Sequence, residues 1–172
     1  MTGRLKLWAK YTKGHVVKFN TGFNWGISSQ TVADGGTVSP IADNQDPTGH
    51  REGYDLLGWS TTEGSTVADF KLGDGGTPVT GDITLYAVWK VKQYQVRFVT
   101  GEGGSAVAPQ TVDYRGTVAK PADPTRVGYD FVSWVTDASS DGTPGNTPYV
   151  FGTPVTSNLT PSGRGLVRPC TS

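Results

Sequence analysis

The sequence predicts a mainly β protein, at the border of α+β, built as two tandem repeat modules. Three observations carry this. Gly 24 and Pro 11 among 172 residues, with 17% charged and one Met, leave few runs of strong helix formers. Four blocks recur in the same order. Within the blocks, apolar side chains alternate with period two, as in half-buried strands.

The recurrence defines the modules. HVVKFNTG from His15 matches YQVRFVTG from Tyr94, QTVADGGTV from Gln30 matches QTVDYRGTV from Gln110, GYDLLGW from Gly53 matches GYDFVSW from Gly128, and GTPVTGDIT from Gly76 matches GTPVTSNLT from Gly152. The offset drifts between 75 (Gly53 to Gly128) and 80 (Gln30 to Gln110). Insertions therefore fall between the blocks, where loops tolerate them.

Taken in order, the chain opens with LKLWAKY, whose alternation matches LYAVWK at Leu85 to Lys90, so residues 1–14 read as the closing strand of a preceding repeat plus a linker. Repeat module 1 follows at 15–92. In its first strand Val17 and Phe19 share one face and Val16 and Lys18 the other. IADNQDPT at Ile41 and PADPT at Pro121 hold prolines that forbid a strand interior or long helix, so they are crossovers with at most one helical turn. In GYDLLGW, Tyr54 and Leu56 face one way and Leu57 and Trp59 the other. ITLYAVWK is apolar on one face and mixed on the other, which suits a central strand. Repeat module 2 occupies 93–160 and lacks a recognisable closing strand. PSGRGLVRPCTS has no alternation and begins with Pro161, so 161–172 reads as a non-repeat, disordered tail. Only Lys90 to Tyr94 separates the closing Trp89 from the next strand, which predicts a semi-rigid rod.

Charge and cysteine content exclude several classes. Lys plus Arg and Asp plus Glu are 15 each, so no overall field attracts polyanions and nucleic acid is not an expected partner. The lone Cys170 excludes an intrachain disulfide and paired-cysteine metal sites. No apolar run reaches membrane-spanning length, so no membrane insertion is expected.

The ordered blocks TVDYRGTVAKPADPTRVGYDFVSWVTDA, TPYVFGTPVTSNLT and ITLYAVWK resemble the Listeria–Bacteroides repeat family, which includes the B-repeat of internalin B. The resemblance covers nearly all of Lys13 to Thr160 twice. It implies β-grasp-like (ubiquitin- or SUMO-like) modules, used in tandem on bacterial surface proteins as spacers and adhesion modules without catalysis. An extracellular, cell-surface or cell-wall location within a longer exported protein follows from it. The departures are Trp25, the longer ADNQDPTGHREG segment of module 1, and the closing strand of module 2.

The twice-used Tyr-plus-Trp cassette has two readings, a ligand-stacking platform or a core that each module must build. Core is preferred, because a unit under 80 residues has little apolar material to spare. The sharper binding candidates break the repeat: Phe23 and Trp25 in TGFNWGIS stand where module 2 has Glu102 and Gly104 in TGEGGSAV. They are candidates for contact with a ligand, a partner or a neighbouring repeat, and would be the platform of a carbohydrate- or glycosaminoglycan-binding module, against a bland role in packing over the sheet end.

Other patterns carry less. GEGGSA at Gly101 meets a dinucleotide-type glycine pattern, but Pro109 and a strand follow where a phosphate-binding helix must start, so it reads as a turn. His15 and His50 adjoin no nucleophile motif, and Asp43, Asn44 and Asp46 lack the order of a calcium loop. Asp55 and Asp130 lie in separate modules, so they are not a glycosidase pair. No catalytic residue, metal ligand or cofactor is assigned. Lastly, Leu5, Leu7, Trp8, Ala9 and Tyr11 form a candidate strand-pairing segment, either filling the open edge of module 2 in another molecule or capping module 1. Expected partners are a host or cell-surface protein or glycan, neighbouring repeats, and a second copy through that segment.

Overall fold

The computed structural model describes residues 6–136 and 147–167. Contacts divide the chain into Met1–Lys90 and Val91–Ser172. Both are β structure, and the only helix among the described residues is one 3-10 turn, Asp43–Gln45, within the first crossover.

In the first unit, β1 (Gly14–Asn20), β2 (Gln30–Ala33), β3 (Tyr54–Ser60) and β4 (Ile83–Val91) form one sheet in the order β2-β1-β4-β3. β1 runs antiparallel to β2, with His15 opposite Val32, and parallel to β4, with Val17 opposite Ile83 and Phe19 opposite Leu85. The alternation read in β1 holds: His15 and Val17 are buried while Val16 and Lys18 are exposed. β4 is an interior strand of this sheet, and Leu85 and Val88, which face opposite ways, are each buried. Val17, Val32, Val38, Trp59, Phe70, Val79 and Leu85 make the core.

The second unit holds β5 (Gln93–Val96), β6 (Gln110–Asp113), β7 (Tyr129–Val135) and β8 (Ser162–Val167), which form two two-stranded sheets, β5-β6 and β7-β8, in place of the single four-stranded sheet. β5 pairs antiparallel with β6, and β7 antiparallel with β8. Its core holds Val96, Val112, Val118, Trp134 and Val155 at the positions of Val17, Val32, Val38, Trp59 and Val79, and adds Phe98, whose counterpart Phe19 is only partly buried. The copying extends to single hydrogen bonds. Asp82 Oδ1 accepts from the Val16 amide at 2.8 Å, and Asn158 Oδ1 from the Gln95 amide at 2.9 Å. Gln30 brackets the main chain of Ser39, donating to its carbonyl and accepting from its amide (3.1 and 2.9 Å), and Gln110 brackets Ala119 likewise (2.8 and 3.0 Å).

Differences between the copies are also physical. The His15 Nε2–Asp34 Oδ1 contact of 2.9 Å is replaced by a Tyr94–Tyr114 ring pair with centroids 6.5 Å apart. Gly35 turns the chain at φ 75°, whereas Arg115 occupies the matching left-handed position at φ 61°.

Three expectations are corrected. First, Leu57 does not share a face with Trp59: Leu57 is 50% exposed and Trp59 4%, and Val132 and Trp134 repeat this at 51% and 2%. The register of β7 slips between Phe131 and Ser133, and Gly58 holds φ 140° at the matching place, so an irregularity turns each Trp inward.

Second, residues 161–172 are not simply a tail, for β8 closes the second unit. Val96 faces Leu159 and Val99 faces Ser162 in parallel, as β1 faces β4. The Arg97 and Val99 amides donate to the Leu159 and Pro161 carbonyls at 3.0 and 2.9 Å, and the Gly163 amide donates to the Val99 carbonyl at 2.7 Å. Pro161 is tolerated because it sits before the strand and buries its ring where Leu85 stands in the first unit. Residues 168–172 lie outside the described residues.

Third, Lys6–Tyr11 belongs to no strand and does not cap the first unit; Leu7, Trp8 and Tyr11 are 87%, 87% and 92% exposed, and Ala9 is exposed. A lone strand has no backbone partner, and β4 already closes this unit. Leu5 lies outside the described residues.

Candidate functional site

The loop after β1 carries Phe23 and Trp25, both half-buried. Its shape follows from the buried Thr21, whose hydroxyl lies 3.0 Å from the Phe23 carbonyl and 2.8 Å from the Trp25 carbonyl. The Trp25 amide donates to the Phe23 carbonyl at 2.7 Å, closing a three-residue turn. The two rings then meet different partners, Phe23 on β4 and Trp25 on the crossover. Phe23 meets Trp89 edge-on at 5.7 Å, and the Trp89 indole N–H donates to the Thr21 carbonyl at 2.9 Å.

Trp25 stacks on His50 with centroids 3.8 Å apart and donates its indole N–H to the Gln45 carbonyl at 2.9 Å. Gln45 in turn accepts from the Ser28 amide at 3.2 Å and donates to the Ser28 hydroxyl at 2.9 Å. The unusual loop and the unusual crossover of this unit are therefore each other's partners. Asp46, in the same crossover, is held below its ordinary carboxylate range by hydrogen bonds from Thr48, partly opposed by burial and aided by His50. Its oxygen is used in a turn.

Sequence reasoning missed two arginines. Arg51 lies 4.1 Å from the Tyr54 ring centre and 5.3 Å from Trp89, making a Tyr–Arg–Trp stack. Arg126 lies 4.1 Å from Tyr129. The signal was present as a shared R-x-G-Y-D, Arg51 to Asp55 and Arg126 to Asp130. Gly53 and Gly128, at φ 76° and 77°, turn the chain so that Arg folds back over Tyr.

The cassette tryptophans are core residues. Phe19 meets Trp59 edge-on at 5.1 Å and Phe98 meets Trp134 at 4.9 Å. The glycines of GEGGSA form a turn, with the Gly104 amide donating to the Gly101 carbonyl at 3.2 Å. Among the described residues, no three His, Cys, Asp or Glu side chains converge as a metal set, and no helix is long and apolar enough to cross a membrane.

Two successive β units with matching cores, matching turns and matching Arg-on-Tyr ends define a repeat protein. Residues 15–88 and 94–160 each match the Listeria-Bacteroides repeat domain, and the chain belongs to that family. It is 36% identical over 88 residues to a putative membrane protein and 35% identical over 88 residues to a putative Gly-rich membrane protein, both of Evansella cellulosilytica, covering 51% of this chain in each case. It is 34% identical over 116 residues, 66% of the chain, to Internalin H of Listeria monocytogenes. The matched stretches span 12%, 10% and 19% of those relatives' lengths. No solved structure matches the chain significantly.

Proposed function

We propose that the chain is a non-catalytic repeat segment of a bacterial cell-surface protein, acting as a spacer or stalk and as an adhesion or protein-interaction module. The observation that carries this reading is the double family match, extended by relatives named Internalin H and membrane proteins, over two units whose cassette tryptophans Trp59 and Trp134 are core residues. A β-grasp-like assignment is supported by the β2-β1-β4-β3 order with its parallel β1–β4 centre. The engagement of Phe23 and Trp25 with Trp89, His50 and Gln45 favours packing over a glycan platform for these two residues.

Brief protease treatment of intact source cells, followed by mass spectrometry of the released peptides, tests the location; peptides from both units are expected. Complete protection of both units on intact cells, with cleavage after lysis, refutes surface display. Stretching the chain by force tests the spacer role, with two separate unfolding events expected. Turnover of esterase or glycosidase substrates overturns the non-catalytic reading.

A further inference from the structure

Between Phe70 and Gly76 the first unit runs KLGDG, whereas the second reaches Gly152 from Tyr149 through Val150 and Phe151 alone. The extra residues make a closely wound turn. The Gly73 amide donates to the Val38 carbonyl at 2.7 Å, the Gly76 amide to the Gly73 carbonyl at 3.0 Å, and the Thr77 amide to the Lys71 carbonyl at 2.9 Å. A Cβ on Gly76 would lie 2.7 Å from both the Gly73 and the Lys71 carbonyl oxygens, so the turn has no slack on its inner side.

The sequence holds three Asp–Gly steps, Asp34–Gly35, Asp74–Gly75 and Asp141–Gly142. The last lies outside the described residues. The first two are held in opposite ways. Asp34 Oδ1 lies 2.9 Å from His15 Nε2, and the Gly35 amide donates to the Val79 carbonyl at 2.8 Å. Asp74 and Gly75 are exposed, and among the described residues neither the Asp74 carboxylate nor the Gly75 amide has a hydrogen-bond partner. A Cβ on Gly75 would meet nothing within 4 Å.

We infer that Asp74–Gly75 is a site of spontaneous covalent modification, isomerising to isoaspartate, while the hydrogen bonds at Asp34–Gly35 protect that step. The Gly75 amide nitrogen attacks Cγ of the protonated Asp74 side chain, unobstructed because glycine has no Cβ. The N–Cγ bond forms, and the carboxyl hydroxyl leaves with the amide proton as water, giving a five-membered succinimide. One water then adds back. Attack at Cγ restores aspartate; attack at the main-chain carbonyl carbon breaks its bond to nitrogen and leaves a chain that runs through Cγ. That chain is one methylene longer inside a turn with no slack, so the bonds from Gly76 to Gly73 and from Thr77 to Lys71 are lost. The second unit has no Asp–Gly step between Tyr149 and Gly152, and the inference does not depend on where the parent protein sits.

The test ages the whole chain in mildly acidic buffer, well below its melting transitions, and maps isoaspartate by tryptic digestion with electron-transfer fragmentation. Asp74 falls in peptide 72–90 and Asp34 in peptide 19–51. Isoaspartate at Asp74 should exceed that at Asp34 by about tenfold or more, since an amide held in a hydrogen bond reacts only from locally opened states. Asp74→Glu should remove the product from peptide 72–90, because the six-membered ring closes far more slowly. The first-unit melting temperature should fall on ageing in the parent and hold in Asp74→Glu. Absence of isoaspartate at Asp74 overturns the proposal. So does an equal yield at Asp34, or an unchanged first-unit melting temperature in the purified isoaspartate form.

Discussion

Trp25 lies flat on His50, with ring centroids 3.8 Å apart and an interplanar angle of 19°. This ties the loop after β1 to the crossover that precedes β3, and the indole N–H on the Gln45 carbonyl reinforces the tie. Replacing Phe23 and Trp25 together by Ala should lower the stability of the first unit by about 2–4 kcal/mol, from lost apolar burial and two ring contacts. Thermal unfolding with a probe in each unit checks this; an unchanged first transition would free both residues for a binding role.

The same crossover confers an acid response. Asp46 has a folded pKa below its ordinary value of 3.8, so its contribution to stability is fully present above that pH and is lost as pH falls through the lower folded value. Asp46→Asn should therefore be less stable than the parent near neutrality and converge with it in strong acid. Denaturant melts across that range are the measurement, and a gap that widens in acid would contradict it.

Tyr149 donates its amide to the Trp134 carbonyl at 2.7 Å, as Phe70 donates to Trp59 at 2.9 Å. The buried Tyr149 hydroxyl has no hydrogen-bond partner among the described residues, and burial pushes its pKa up. Tyr149→Phe copies the first unit and should stabilise the second by about 1 kcal/mol, since an unpaired buried polar group is costly. Destabilisation in a urea titration would show that the hydroxyl is paired.

Arg115 takes φ 61° where its counterpart Gly35 takes φ 75°. Arg115→Gly should raise the stability of the second unit by about 0.5–1 kcal/mol, because left-handed backbone strains a side chain by about 1–2 kcal/mol while glycine enlarges the unfolded ensemble by rather less. A lower melting temperature would count against this balance.

Truncation after Thr160 removes Pro161 and all of β8, leaving β7 without its antiparallel partner. The second unit should then melt at a clearly lower temperature while the first is unaffected. Undiminished stability would remove β8 from the working fold.

Legibility in the sequence followed the physics of each element. Period-two alternation located β1 and its copy β5, and repetition of the Tyr-plus-Trp cassette identified Trp59 and Trp134 as core. The inward turn of those tryptophans was not legible, because a bulge resets alternation without a composition signal beyond Gly58. β8 was missed because Pro161, Gly163 and Gly165 carry none of the branched or aromatic residues that mark a strand. It is held by backbone pairing. The tie between Trp25 and His50 joins residues that are 25 apart, yet both lie in segments where the first copy departs from the second, and that coincidence was a readable hint. The Arg-on-Tyr pairs needed the fold-back at Gly53 and Gly128 to be seen.

The glutamine brackets at Gln30 and Gln110 grip only main-chain atoms of Ser39 and Ala119. Such a grip is indifferent to the gripped side chain, so those positions are free to diverge during evolution while the anchor persists. Sequence drift between adjacent copies in turn discourages a nascent segment from annealing onto its sibling during translation, a characteristic hazard of tandem arrays.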